Sequence, residues 1–150
     1  MKARTYFSLI LLLIFLTSAC NVAPDSINYG SDACHYCSMT IVDKTHAAQT
    51  VTKKGKQFKY DSIECLVNDL ILKQNEAELS LIFVANYTSP GKMISAENAV
   101  YFISDAITSP MGANLTAVDS KDKLETILNE KEYETFSWTT LKEYFRSKNN

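Results

Sequence analysis

Two strand-to-helix junctions in this chain are spelled in nearly the same letters. Tyr60-Asp61-Ser62 recurs as Val118-Asp119-Ser120, and Leu66 and Leu70 recur as Leu124 and Leu128, at a constant offset of 58 positions (119 − 61). The repeat predicts two related lobes, each with short strands feeding an amphipathic helix. In the first copy Met39–Val42, His46–Thr52 and Gln57–Tyr60 read as strands, with Lys53-Lys54-Gly55-Lys56 as the turn between the last two. Asp61 is placed to cap the following helix, and Glu64 three residues on completes a capping-box pattern. Leu79–Tyr87 is apolar enough to be a strand buried on both faces. Ser89-Pro90-Gly91 breaks the chain, after which the order returns: strand Ala99–Ile103, strand Leu115–Val118, a helix opened by Asp119, a closing strand Tyr133–Trp138 and a short helix Thr139–Arg146. The expected class is α+β: two small related β-rich lobes, residues 31–89 and 90–150, each of antiparallel strands and one helix in ββαβ order.

With 150 residues, 46% apolar, and few Gly or Pro, the chain is neither disordered nor a large multidomain enzyme. Residues 1–19 open with Lys2 and Arg4, run through the apolar Leu9–Leu16 and end in Thr17-Ser18-Ala19, the layout of an export signal. The apolar stretch is shorter than the roughly 20 residues of a spanning helix. Leu16-Thr17-Ser18-Ala19-Cys20 resembles the lipobox of bacterial lipoproteins, with Thr17 where Leu is usual. The resemblance implies that Cys20 becomes an acylated N-terminus holding the mature chain on a membrane surface facing the periplasm, each buried methylene contributing about 0.8 kcal/mol. Residues 20–30, with Pro24 and little hydrophobicity, read as a lipidated tether. Taking Lys2 and Arg4 from the 15 basic residues leaves 13 against 17 acidic. That balance, with no Lys/Arg stripe, excludes nucleic acid as a partner.

Of four cysteines, setting Cys20 aside leaves Cys34, Cys37 and Cys65. In an oxidising compartment an odd number requires at least one thiol to be free or bound to a ligand. The stretch Asp32-Ala33-Cys34-His35-Tyr36-Cys37-Ser38-Met39 concentrates donors. If it is extended, His35, Cys37 and Met39 project to one side. Thiolate and thioether are soft ligands that favour Cu(I) over Mg or Ca. Met111, set between turn residues in Ser109-Pro110-Met111-Gly112, is poorly placed to fill a core and is a further donor, which would put a metal at the junction of the lobes.

His35-Tyr36-Cys37-Ser38-Met39 and Pro110-Met111-Gly112-Ala113 together resemble the paired signatures of the NosL family, the nitrous oxide reductase accessory lipoproteins. The resemblance covers the mature chain from Asp32 to Trp138. It implies a membrane-anchored Cu(I) chaperone, not an enzyme, whose partner is a copper-accepting apoprotein: nitrous oxide reductase or its maturation machinery. It also implies that Cys37, Met39 and Met111 hold the metal, with His35 next, then Cys34 and lastly Cys65. The family's usual Cys-Gly-Met has Ser38 in place of Gly, a change that an extended backbone would accommodate.

Other readings stay open. Cys34-His35-Tyr36-Cys37 has the spacing of a periplasmic thiol-disulfide oxidoreductase, although no buried strand precedes it and no helical pattern follows. Cys34 and Cys37 could also close a disulfide, or Cys34, Cys37 and Cys65 with a histidine could bind zinc. Cys65 among apolar neighbours reads as a buried, inert thiol, and His46 as a partly exposed sheet residue. A noncatalytic binding lipoprotein without metal has only the abundance of Tyr and Phe in its favour. No G-x-S-x-G, P-loop or H-E-x-x-H motif supports a hydrolase.

Overall fold

A computed structural model describes residues 22–129 and 131–148. The elements are β1 (Ala48–Thr52), β2 (Gln57–Tyr60), α1 (Ile63–Lys73), a 3₁₀ turn (Glu76–Glu78), β3 (Leu79–Ala85), β4 (Met93–Ser95), β5 (Val100–Ile103), β6 (Leu115–Val118), α2 (Lys121–Leu128), β7 (Glu134–Phe136) and α3 (Trp138–Lys148). They form two antiparallel sheets, β2-β1-β3-β4 and β6-β5-β7. In each, the first strand of a hairpin is central, the second flanks it, and the strand after the helix closes the other side. The fold is therefore α+β with two β-rich ββαβ lobes, as the repeat predicts. The 58-residue offset maps β2 onto β6 and the start of α1 onto that of α2. β4 has no counterpart: it lies beyond the break at 89–91 yet pairs with β3 in the first sheet.

Ser62, not Asp61, is the N-cap of α1, its hydroxyl accepting the Cys65 N–H at 3.2 Å. Ser120 holds the same place in α2 without a side-chain cap bond. Ile63, Leu66, Val67 and Leu70 repeat at helical spacing and are buried, each large apolar side chain contributing about 1.5–3 kcal/mol. The helix stops at Gln74, left-handed at φ 51°, whose N–H returns to the Leu70 carbonyl. One apolar core runs through both lobes: Ile63, Leu66 and Val84 of the first join Tyr101, Leu115, Leu141 and Phe145 of the second. A smaller cluster, Phe102, Val118, Leu124 and Leu128, lies under α2.

Three expectations change. Met39–Val42 is not a strand but the return arm of a loop closed by the Ala33–Thr40 bridge. His46 precedes β1 and is buried, its ring bridging Asp43 at 2.7 Å and Thr116 of β6 at 3.2 Å, so it fastens the lobes together. Residues 23–29 do not hang free: Gln57 donates to the Ala23 carbonyl, Gln49 to that of Asp25 and Lys59 to that of Ser26, laying the segment along the first sheet. The expected signal and Cys20 lie outside the described residues. Among those described, no helix is long and apolar enough to cross a membrane.

Candidate metal centre

The donor-rich segment is folded back on itself, which overturns the extended arrangement. Cys34 N–H donates to the Met39 carbonyl at 2.7 Å and Ser38 N–H to the Cys34 carbonyl at 2.9 Å, with residues 35–37 forming the turn. The reversal requires Ser38 to adopt φ +64°, a left-handed conformation that glycine takes without the Cβ penalty. Serine carries a strain cost here that glycine would not.

The turn sets Cys34 and Cys37 side by side, and β2 delivers the start of α1 against them. The sulfurs of Cys34, Cys37 and Cys65 all lie within 4.8 Å of one another, and all three thiols are free. Cys34 and Cys65 are buried, whereas Cys37 is half-buried and forms the solvent side of the cluster. Cys65 stands in the first turn of α1, where the helix's unpaired N–H groups favour negative charge.

The three thiols are not equivalent. The Cys65 thiol hydrogen-bonds Cys34, and the backbone N–H groups of Cys37, Asp61 and Tyr36 converge on the same sulfur, holding Cys34 well below the usual thiol range despite its burial. Cys65 is pushed up because it donates to Cys34, is desolvated and faces that negative sulfur. Burial raises Cys37. Negative charge is therefore favoured on Cys34 and disfavoured on Cys37 and Cys65. The cluster is a soft, three-sulfur cradle with a single open side.

The second lobe is fastened beside it. Glu64, buried in the first turn of α1, does not close a capping box; its carboxylate accepts a hydrogen bond from the Ser109 hydroxyl. Ser109 Oγ in turn accepts the Asn114 N–H at 2.9 Å, and the Gly112 N–H returns to the Ser109 carbonyl. The Pro110-Met111-Gly112 turn is thereby pinned to the helix turn that carries Cys65. Met111 is 40% exposed and Met39 57%, so two thioethers stand at the surface on segments that flank the cluster. Asp61 Oδ1 and Glu64 Oε2 are buried without a hydrogen-bond partner among the described residues. Burial, followed by the Cys34 charge, raises the Asp61 carboxyl.

His35 turns away. Its ring packs 4.4 Å from that of Phe58, and Nε2 lies 2.7 Å from Lys73 Nζ. Of the residues singled out in the sequence, the structure thus unites Cys34, Cys37 and Cys65, fastens the Met111 turn alongside and sends His35 elsewhere. Cys65, least expected of the set, is central. Its signal was the odd cysteine count together with its place in the first turn of a capped helix.

A duplicated ββαβ scaffold with a largely buried three-thiol cluster in the first copy and a methionine turn fastened beside it from the second makes this a small α+β protein with a site that could hold a soft metal. The chain belongs to the NosL family, whose model matches residues 27–143. It is similar in fold to the crystal structure of the copper chaperone NosL from Shewanella denitrificans, with TM-score 0.67 and 18% identity over 78% of this chain and 93% of that one. No curated protein sequence matches it.

Proposed function

We propose that the chain is an exported, lipid-anchored carrier of Cu(I), held to the membrane through Cys20, that passes its copper to an apoprotein acceptor: nitrous oxide reductase or its assembly machinery. The observation that carries this reading is the meeting of three cysteine sulfurs within 4.8 Å. Membership of the NosL family and the likeness to a copper chaperone of that family support it. It is a carrier rather than an enzyme.

Three soft donors of low coordination number suit Cu(I). Cys34 is the charged anchor, and Cys65 and Cys37 each release a proton as copper enters. Met39 and Met111, exposed beside the cluster, are weak thioether ligands that capture the ion first and release it last. An incoming acceptor ligand joins the coordination shell from the Cys37 side before the buried sulfurs let go.

Two rival readings fit less well. A thiol-disulfide oxidoreductase needs its low-pKa thiol accessible to substrate, whereas here the lowered thiol is Cys34, 2% exposed. A structural zinc site takes four ligands, and among the described residues no histidine or carboxylate joins the three sulfurs. The test is chelator competition with Cu(I) and Zn(II) on the reduced protein. Cys37→Ala is expected to cost most of the Cu(I) affinity, and Met39→Ala or Met111→Ala less each. Unchanged affinity in Cys37→Ala, or tighter Zn(II) than Cu(I) binding, sinks the reading.

A further inference from the structure

The described N-terminal segment ends at a lysine cluster. Lys53, Lys54 and Lys56 occupy the exposed tip of the β1–β2 hairpin, a turn in which Gly55 supplies φ +83° and donates its N–H to the Thr52 carbonyl. Gln57, the next residue, donates from Nε2 to the Ala23 carbonyl at 2.9 Å, and its Oε1 accepts the Asp25 N–H. The chain leading back to Cys20 therefore departs beside this tip. Val22 is two positions from Cys20 along the chain, a reach of at most about 7 Å. In a mature chain whose acidic residues outnumber its basic ones, three lysines in four positions are concentrated at this exit. Glu78, whose carbonyl accepts the Lys53 N–H, and Asp25 are acidic residues beside it.

The opposite end of the same strand carries the metal centre. β2 runs from Gln57 at the tip to Tyr60, and the next N–H, that of Asp61, points at the Cys34 sulfur. At about 3.3 Å per residue, Lys56 and Asp61 lie roughly 16 Å apart along the strand.

We propose that the Lys53–Lys56 hairpin tip is a docking surface for anionic phospholipid headgroups, which seats the protein upright on the bilayer with its sulfur cluster turned to the aqueous side. Lysine ammonium groups on long stems meet the phosphates as point charges while their backbone stays outside the headgroups. The acyl chains on Cys20 supply attachment, and a basic patch beside them adds an electrostatic contact that fixes orientation. The strap of residues 23–29, hydrogen-bonded along the first sheet, removes the slack that would let the domain tumble. An acceptor then meets the cluster from solution. The proposal rests on the lipid-anchor part of the function above and is independent of which metal is carried.

The test is hydrogen exchange of the full chain, purified from membranes and reconstituted on vesicles of pure phosphatidylcholine or of phosphatidylcholine with phosphatidylglycerol. On the anionic vesicles the amides of residues 53–58 are expected to exchange at least about tenfold more slowly, since each lysine near such a surface favours contact about fivefold. Residues 35–39 stay unchanged. Lys53→Gln with Lys54→Gln erases the difference, and Lys53→Arg with Lys54→Arg preserves it. Equal exchange on both vesicles, protection at 35–39 instead, or protection of the tip only when a partner protein is added overturns the proposal. Mass spectrometry of the N-terminal peptide separates the two ideas. An acylated chain with an unprotected tip refutes the docking surface alone, and an unacylated chain with a protected tip refutes the anchor alone.

Discussion

Placed over one another by their 58-residue offset, the two strand-to-helix junctions put their charge- and sulfur-bearing positions to different use. In the first, Asp61 is buried, Ser62 caps the helix, Glu64 reaches across to Ser109 and Cys65 joins the cluster. In the second, Asp119 pairs with Lys123 at 2.7 Å, Ser120 makes no cap bond and Asp122 is exposed. Lys123 stands where Cys65 stands in the other copy. The difference in burial follows from packing. α1 is buried on several faces, by its own sheet, by α3 and by the 109–114 turn, whereas α2 buries only Leu124 and Leu128. The same ββαβ frame can support soft-metal chemistry only where a helix N-terminus is enclosed, because enclosure both desolvates the thiols and brings a second segment within reach.

The sharpest way to break that contrast is to exchange the equivalent positions. Cys65→Ala should weaken Cu(I) binding by at least about a hundredfold, since loss of an outer-shell partner alone costs 10–100-fold, while Lys123→Ala should leave chelator competition unmoved. Next in size is the latch. Ser109→Ala strands the buried Glu64 carboxylate and should destabilise the fold by about 2 kcal/mol in denaturant titration, against less than about 0.5 kcal/mol for Asp122→Ala on the exposed counterpart.

Proton linkage gives a third, smaller effect. Cys37 and Cys65 have raised pKa values and so hold protons at neutral pH, while Cys34 is already ionised. Each proton displaced makes apparent affinity rise up to about tenfold per pH unit, so Cu(I) affinity should climb from pH 6 to 8, and less steeply in Cys37→Ala. A flat profile would mean that only the Cys34 thiolate engages the metal. The smallest effect concerns backbone strain. Ser38→Gly should raise stability by about 1 kcal/mol without loss of copper affinity. Asn114→Gly, at a left-handed position of the second lobe, should give a few tenths at most, because asparagine already tolerates that conformation.

Much of the fold was legible. Gln57–Tyr60 and Leu115–Val118 were bounded to the residue because alternation and flanking turn residues act over a few positions, and the repeat disclosed the common ββαβ order. The centre was legible in part. Its residue types pointed to soft metal chemistry, but the extended reading of residues 35–39 aligned the wrong side chains. Nothing in those five letters announces that Ser38 turns left-handed. Asp61 and Glu64 matched a capping box, and burial gave them other roles once the second lobe packed against them.

Local pattern by itself determined the elements, their duplicated order and the supply of thiols and thioethers, because period, capping and turn chemistry are short-range properties written in neighbouring residues. Tertiary structure alone decided which sulfurs meet. Cys65 reaches Cys34 and Cys37 only because the strand before it pairs in one register and the helix that carries it is pressed between two lobes. That long-range packing sets both the 4.8 Å cluster and the unequal ionisation of its thiols.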